Sequence, residues 1–166
     1  MLSKEHLADA MTHECDVAIH LFSKLRPGTL EYRPSPGQRS TLELMRYLAI
    51  CGIAGVTCMA ASNWKLFSEF VARTREMPAE GFPDAMQRQK QELKEFFSKV
   101  DDDALRTQNA PLPGGTILPL GAAIVNGPLK WLSAYRLQLF VYAKASGASE
   151  LVTSNAWRGV DPKPAA

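Results

Sequence analysis

Apolar residues recur at helical spacing through most of this chain, and no alternating run is long enough to predict a sheet. The strongest local signal is Ser40-Thr41-Leu42-Glu43, which is a capping box. In this motif the Ser hydroxyl and the Glu carboxylate each accept a hydrogen bond from a free amide at the helix start. It predicts a long helix that reaches about Ala61.

The same periodicity predicts four long helices, at about residues 3–25, 40–61, 84–100 and 119–146. Ser3 suits the first as an N-cap. A second capping box, Asp84-Ala85-Met86-Gln87, should open the third, and the Asp101 to Asp103 run should end it. Asn126-Gly127-Pro128 should bend the fourth helix, and Gly147 suits its left-handed C-cap.

The connections complete an all-α prediction. Three prolines and two glycines between Pro27 and Gln38 predict a long, irregular link between the first and second helices. Aromatic residues at helical spacing between Asn63 and Pro78 predict a short extra helix over one end of the core, and Pro111 to Gly115 predict a turn. We therefore expect an antiparallel four-helix bundle over residues 1–150. Residues 151–166 should form a tail held down through Trp157, with a loose end.

Composition narrows the classes of partner and compartment. The net charge of +2 over 166 residues is not gathered into a basic block, so we expect no nucleic-acid or membrane binding. The three cysteines form no CxxC pair and cannot all be bridged, which predicts reduced thiols. The N-terminus lacks the pattern of a signal peptide, so we predict a cytoplasmic protein. The uncharged run from Tyr47 to Trp64 should be a buried bundle helix.

Polar and aromatic side chains interrupt the predicted apolar faces. On three helices these positions should converge on one ligand pocket, and its predicted lining is Glu14, Tyr47, Trp131, Tyr135 and Gln138. A buried carboxylate needs partners, such as the Tyr47 or Tyr135 hydroxyl or the Gln138 amide. The alternative is that the Tyr and Gln side chains bond neighbouring backbone groups, while Glu14 reaches water at the edge of the bundle.

Three histidines, His6, His13 and His20, are spaced by seven and should line one side of the first helix. Neighbours in this stripe lie about 10 Å apart along the axis, too far for all three to bind one ion. We interpret them as exposed or interface residues, with a surface metal or a pH-sensitive contact as the alternative. Cys51 and Cys58 should behave as small apolar groups in the core.

Three segments resemble the DinB/YfiT-like superfamily: YRPSPGQRS at residues 32–40, LMRYLA at 44–49 and LKWLSAYRLQL at 129–139. The resemblance covers about residues 1–147. It implies an antiparallel four-helix bundle, often dimeric. It also implies relatives that are metal-dependent thiol transferases, isomerases or hydrolases of small molecules.

Metal-binding members of that superfamily carry one His in the second helix and two more, four residues apart, in the fourth. Those places fall on Tyr47, Trp131 and Tyr135 here, while Arg136 and Gln138 match the family pattern. An indole offers no lone pair, and a phenol must lose a proton before it binds a metal. We therefore expect no metal, and no other cofactor, at this position.

Three functions fit these residues, and the sequence does not identify a specific reaction. The first is a metal-free small-molecule-binding or accessory protein. The second is an interaction protein, forming a homodimer, in which Trp131 and the other aromatic side chains fill the old pocket. The third is an enzyme for thiol-dependent transfer or isomerisation, with a Tyr acid or a Glu14 base. A metal-dependent hydrolase is the further alternative that the resemblance implies.

Overall fold

A computed structural model describes residues 3–163 and is mostly helical. The helices are α1 (Lys4–Phe22), α2 (Thr41–Ala60), α3 (Phe67–Thr74), α4 (Phe82–Lys99), α5 (Asp102–Thr107), α6 (Leu120–Ile124), α7 (Lys130–Ala145) and α8 (Thr153–Arg158). Two short strands, β1 (Asn109–Pro111) and β2 (Ile117–Pro119), form an antiparallel hairpin.

Four of these units form the predicted bundle. α1 and α2 each pack against both α4 and α7, and α6 continues into α7 through a π-helical turn at Val125–Leu129. This arrangement places α1 and α2 at opposite corners of the bundle. The link over residues 23–40 is therefore long because it must cross from one corner to the other.

The predicted helix starts at Ser3 and Ser40 are confirmed. The Ser3 side chain caps α1, in a capping box completed by His6. At α2, the Glu43 amide donates to Ser40 Oγ (3.3 Å), and the Ser40 amide donates to Glu43 Oε2 (2.7 Å). Both signals are local in sequence, so chain topology does not alter them.

α2 is long and apolar enough to cross a membrane by composition, the one such helix within residues 3–163. Its most apolar window is 72% buried inside the bundle. Burial of this kind is typical of the core helix of a soluble protein, and it accounts for the uncharged run over residues 47–64.

The second predicted capping box is wrong. α4 begins at Phe82, with Gly81 at the N-cap and Pro83 in the first turn, so Asp84 lies inside the helix. Proline favours the first helical turn because its missing N–H has no partner there in any case. The acidic run after α4 opens a further helix, since Asp101 Oδ1 accepts from the Ala104 amide (2.6 Å). The β1–β2 hairpin was not predicted, because three-residue strands leave no readable alternation.

The predicted bend of the fourth helix is confirmed. Pro128 lies inside the π-helical turn between α6 and α7. α2 approaches this turn so closely that a Cβ at Gly55 would lie 2.5 Å from Pro128 Cγ and 2.8 Å from Trp131 Cζ3. Gly147 ends the helix with φ of +121°, as its predicted C-cap role requires.

The C-terminal segment packs on the bundle through α8, which contacts α1. Ala156 is buried there, whereas Trp157 is 52% exposed. The predicted loose end falls in part on residues 164–166, which lie outside the described residues.

Candidate functional site

Five aromatic side chains from α2, α7 and the α3 region form an aromatic cluster: Tyr47, Trp64, Phe67, Trp131 and Tyr135. The Tyr47 and Tyr135 rings meet edge to face with centroids 4.9 Å apart. Phe67 lies 6.2 Å from Tyr47, and Trp64 lies 6.1 Å from Phe67 and 6.2 Å from Trp131. All five are half-buried. The three positions that match the family metal site therefore lie within one cluster.

Arg39 lies over this cluster. Its guanidinium carbon is 4.4 Å from the Tyr47 ring centroid and 5.6 Å from that of Tyr135. Arg39 directly precedes the Ser40 cap, so the start of α2 fixes its backbone. Its side chain is exposed and forms no salt bridge within residues 3–163. Among the described residues, no carboxylate pairs with this cation.

Gln138 is linked to the Arg39 backbone through a chain of two hydrogen bonds. Gln138 Nε2 donates to the Tyr142 hydroxyl (2.6 Å), and that hydroxyl donates to the Arg39 carbonyl oxygen (3.2 Å). Tyr142 is almost fully buried, and its ring meets Tyr32 edge to face at 5.4 Å. Gln138 therefore helps to position the segment before α2 and is not itself a member of the aromatic cluster.

The predicted partners of Glu14 are wrong. Its carboxylate accepts from Arg136 Nε (2.6 Å) and Nη2 (3.3 Å), and also from Ser133 Oγ (2.9 Å). Arg136 is 1% exposed, and a buried guanidinium binds a carboxylate more strongly than a neutral phenol or amide can. The alternative expectation fails as well, because the Glu14 side chain is only 14% exposed.

A groove of about 450 Å³ opens beside Tyr47, between α2 and α3. Its lining combines an apolar floor with a charged rim: Arg39, Glu43, Arg46, Tyr47, Ile50, Phe67, Val71, Thr74 and Arg75. Of the predicted pocket residues, Tyr47 is the one in this lining. The arginines were missed. Arg46 and Ile50 stand one turn apart beside Tyr47, a spacing that could have pointed to the α2 part of the wall.

Burial keeps the Tyr47 phenol and two of the thiols protonated. It raises the pKa of Tyr47 to about 12, even though the Arg39 cation acts in the opposite direction. Burial also raises the pKa of the Cys15 thiol to about 12 and that of Cys51 well above its ordinary value. These groups therefore keep their protons near neutral pH, which disfavours phenolate or thiolate chemistry.

The histidine stripe is divided among three different contacts. His6 completes the α1 capping box, His13 Nε2 donates to the Trp157 carbonyl oxygen (2.8 Å), and His20 Nε2 lies 3.0 Å from Asn155 Nδ2. Two of the three thus tie α1 to the C-terminal segment. Within residues 3–163, no three His, Cys, Asp or Glu side chains form a group that could hold a metal ion.

Comparison with known proteins identifies the fold. A DinB-like protein from Bacillus subtilis, YjoA, has a similar structure, with a TM-score of 0.64 at 13% sequence identity. The match covers 85% of this chain and 92% of YjoA. No protein-family model matches the sequence, and no curated protein matches it. The expected DinB-like, all-α fold is confirmed.

Proposed function

Because the chain has a DinB-like fold, we propose that it is a small-molecule-binding protein that works without a metal ion. The ligand occupies the groove between α2 and α3. The observation that carries this proposal is the placement of the Arg39 guanidinium over Tyr47 and Tyr135, at the edge of an open cavity of about 450 Å³.

The donor set argues against a metal at the family position. Trp131 has no lone pair to donate, and Tyr47, with a pKa of about 12, remains a neutral phenol near neutral pH. The Arg39 cation over Tyr47 would also repel a metal cation. Tyr135 would be left as the one family-position donor, whereas protein metal sites of this kind use three or four ligands.

The groove has the size and composition of a binding site. Small-molecule sites range over roughly 300–1,000 Å³, with mostly apolar walls and a few placed polar groups. Here Tyr47, Ile50, Phe67 and Val71 supply the apolar wall. Trp131 fills space near Gly55, as the interaction-protein hypothesis expects, but the adjacent groove stays open.

Binding is favoured over turnover because the expected general base, Glu14, is engaged elsewhere. Glu14 is paired with Arg136, so it is a poor candidate for a general base. The raised pKa values of Cys15 and Cys51 disfavour a thiolate nucleophile from the protein itself. These observations weigh against a Glu14 base or a protein thiolate in the transferase or isomerase alternative, whereas the donor set weighs against the metal-dependent hydrolase alternative.

A homodimer is a second proposal, because the outer face of α7 carries unpartnered apolar side chains. Leu137 is 37% exposed and Val141 is 51% exposed. Paired helical faces of this kind can bury such residues. Light scattering on wild-type protein and on Val141→Glu would test it: a wild-type dimer that the substitution dissociates is expected, and a monomeric wild type would contradict it.

The test of the binding proposal combines metal content with a groove-filling variant. We expect tag-free protein purified without chelators to hold no stoichiometric metal by mass spectrometry. In EDTA it should still bind the neutral fluorescent probe N-phenyl-1-naphthylamine at one saturable site. Val71→Phe should abolish that binding by filling the groove, whereas Val141→Phe, on the outer face of α7, should retain it.

Two outcomes would contradict the proposal. The first is near-stoichiometric metal that resists EDTA. The second is probe binding that Val71→Phe leaves unchanged although circular dichroism shows the variant to be folded.

A further inference from the structure

We infer that the groove between α2 and α3 selects an amphipathic anion, meaning a single carboxylate, sulfonate or phosphate head on an apolar body. This inference rests on the proposed binding function and adds the chemical class of the ligand. It is carried by the way three arginines and an apolar wall share one cavity.

The charge of the lining is strongly one-sided. Three guanidinium groups, from Arg39, Arg46 and Arg75, line the groove against the single carboxylate of Glu43. That carboxylate is already engaged, because Glu43 Oε2 accepts from the Ser40 amide at 2.7 Å and lies 3.5 Å from Arg33 Nη1. The field inside the groove is therefore positive, which favours an anionic ligand.

Two of the three cations are held in place before any ligand arrives. Arg39 rests on the Tyr47 ring, and Arg46 Nε donates to the Met77 carbonyl oxygen (2.9 Å). Neither they nor Arg75 form a salt bridge within the described chain. Ordering a long side chain costs affinity on binding, so cations already fixed by the protein bind an anion more tightly. Guanidinium groups also match the planar geometry of a carboxylate.

The floor of the groove favours an apolar body over a second polar group. Tyr47, Ile50, Phe67 and Val71 provide carbon surface. The Thr74 hydroxyl is already used, since it donates to the Arg46 carbonyl oxygen (2.9 Å). A ligand with a charged head at the arginines and an apolar tail on this floor would satisfy both parts of the lining.

A neighbouring cavity lacks this charge bias. It measures about 410 Å³ and lies between α3 and α4, where Arg73 and Arg88 face Glu76 and Asp84. Arg73 is paired with Glu92 as well, at 3.0 Å. The excess of unpaired cations thus distinguishes the α2–α3 groove, and Arg88 provides a matched control position.

The test uses two probes that share their aromatic rings and differ by one anionic group. 1-Anilinonaphthalene-8-sulfonate carries a sulfonate, and N-phenyl-1-naphthylamine has the same rings without it. In EDTA and low salt, we expect wild-type protein to bind the anion about tenfold more tightly at one site, a ratio that falls as salt is added. Octanoate should displace the anionic probe, whereas octylamine should not.

Substitutions assign that selectivity to the arginines. Arg39→Gln should weaken binding of the anionic probe about tenfold, as expected for the loss of a hydrogen-bonding charge, so that the ratio of the two probe affinities falls towards one. Arg75→Gln should act in the same direction without touching the tyrosine rings. Arg88→Gln removes the same charge outside the groove and should leave both affinities unchanged.

The outcomes separate the two proposals. Equal affinity for the two probes, with equal losses in Arg39→Gln and Arg88→Gln, would overturn the anion inference while the binding function stands. Failure of both probes to bind, or binding that Val71→Phe does not block, would overturn the proposed function and the inference with it. Melting curves for each variant would exclude unfolding as the cause of a lost signal.

Discussion

The Nε atom of Arg136 donates to Glu14 Oε2 across 2.6 Å, and this pair joins α1 to α7 inside the protein. Arg136 Nη1 also donates to the Ala156 carbonyl oxygen (2.6 Å), and its guanidinium carbon lies 4.6 Å from the Trp157 ring centroid. One buried cation therefore contacts three helices, and it is one of the contacts that hold α8 on the bundle.

Glu14→Gln should destabilise the fold strongly, because it leaves a buried guanidinium without a charge partner. Breaking such a pair typically costs about 3–5 kcal/mol of unfolding free energy. Chemical denaturation followed by circular dichroism would measure the loss. Glu31→Gln, at an exposed position with no salt bridge among the described residues, should change stability by less than about 0.5 kcal/mol.

Replacing both members of this pair distinguishes two quantities. One is the free-energy cost of a buried charge without a partner, and the other is the net contribution of the ion pair to stability. Glu14→Leu combined with Arg136→Met should recover much of the stability that Glu14→Gln loses. A loss below about 1 kcal/mol in Glu14→Gln alone would contradict the role assigned to the pair.

The burial of Glu14 could be predicted from the sequence, but its hydrogen-bond partner could not. Helical periodicity places Glu14 on an inward face, and the structure confirms that it is largely buried. Its choice between Arg136 and Tyr135 depends on a rotation of about 100° around α7, which is one residue step. Periodicity alone has no such resolution, and the match of Arg136 to the family pattern does not specify which side chain it contacts.

The aromatic cluster could be predicted from the sequence more fully than the groove could. Tyr47 and Tyr135 could be predicted to meet because each lies on the inward stripe of a long helix. Arg39 lies outside any helix, and Arg75 follows a short one whose orientation depends on the turn at residues 61–66. That turn includes Ser62 at φ +49°, a conformation that periodicity does not reveal. Two of the three groove arginines therefore lie at positions that helical periodicity does not fix, while the rest of the lining lies on α2 and α3.

Gln89→Leu should destabilise the bundle, because the side-chain amide of Gln89 forms hydrogen bonds with the backbone in the middle of α2. Its Oε1 accepts from the amides of Gly52 (2.9 Å) and Ile53 (3.2 Å), and its Nε2 donates to the Leu48 carbonyl oxygen (3.0 Å). Buried groups left without partners cost about 1–3 kcal/mol, measurable by denaturation.

Gln91→Leu is the control for this substitution, since Gln91 lies on the same helix but is exposed. We expect it to change the unfolding free energy by less than about 0.5 kcal/mol. Equal effects of the two substitutions would show that the bonds from Gln89 to α2 contribute little.

Thiol labelling should find the native cysteines unreactive. With a pKa of about 12, Cys15 is almost entirely protonated at pH 8, and it is fully buried. Its reaction with a disulfide reagent should be slower than that of free cysteine by about three orders of magnitude. Three thiols per chain should react once the protein is unfolded in guanidinium. Rapid labelling of Cys15 in the folded state would revive a thiol-based enzyme.

Protonation of His20 at acidic pH should weaken the packing of the C-terminal segment on the bundle. It lies 3.0 Å from Asn155 Nδ2 and 3.7 Å from Asp161 Oδ1, and burial together with nearby Lys24 lowers its pKa below the ordinary 6.5 despite the Asp161 carboxylate.

A histidine whose pKa is lower in the folded state binds its proton more readily when unfolded, so protonation favours unfolding. The penalty is absent above about pH 6.5 and grows as the pH falls from there through the folded-state pKa. The hydrogen bond from Lys24 lowers the pKa of Asp161 as well, but stability from that group is lost only below its ordinary 3.8. The two effects therefore occupy separate windows of pH. We expect the unfolding free energy to fall between about pH 7 and pH 5, and His20→Gln to flatten that slope. An NMR titration of the His20 ring should give a midpoint below 6.5, and a midpoint above that value would reverse the predicted sign.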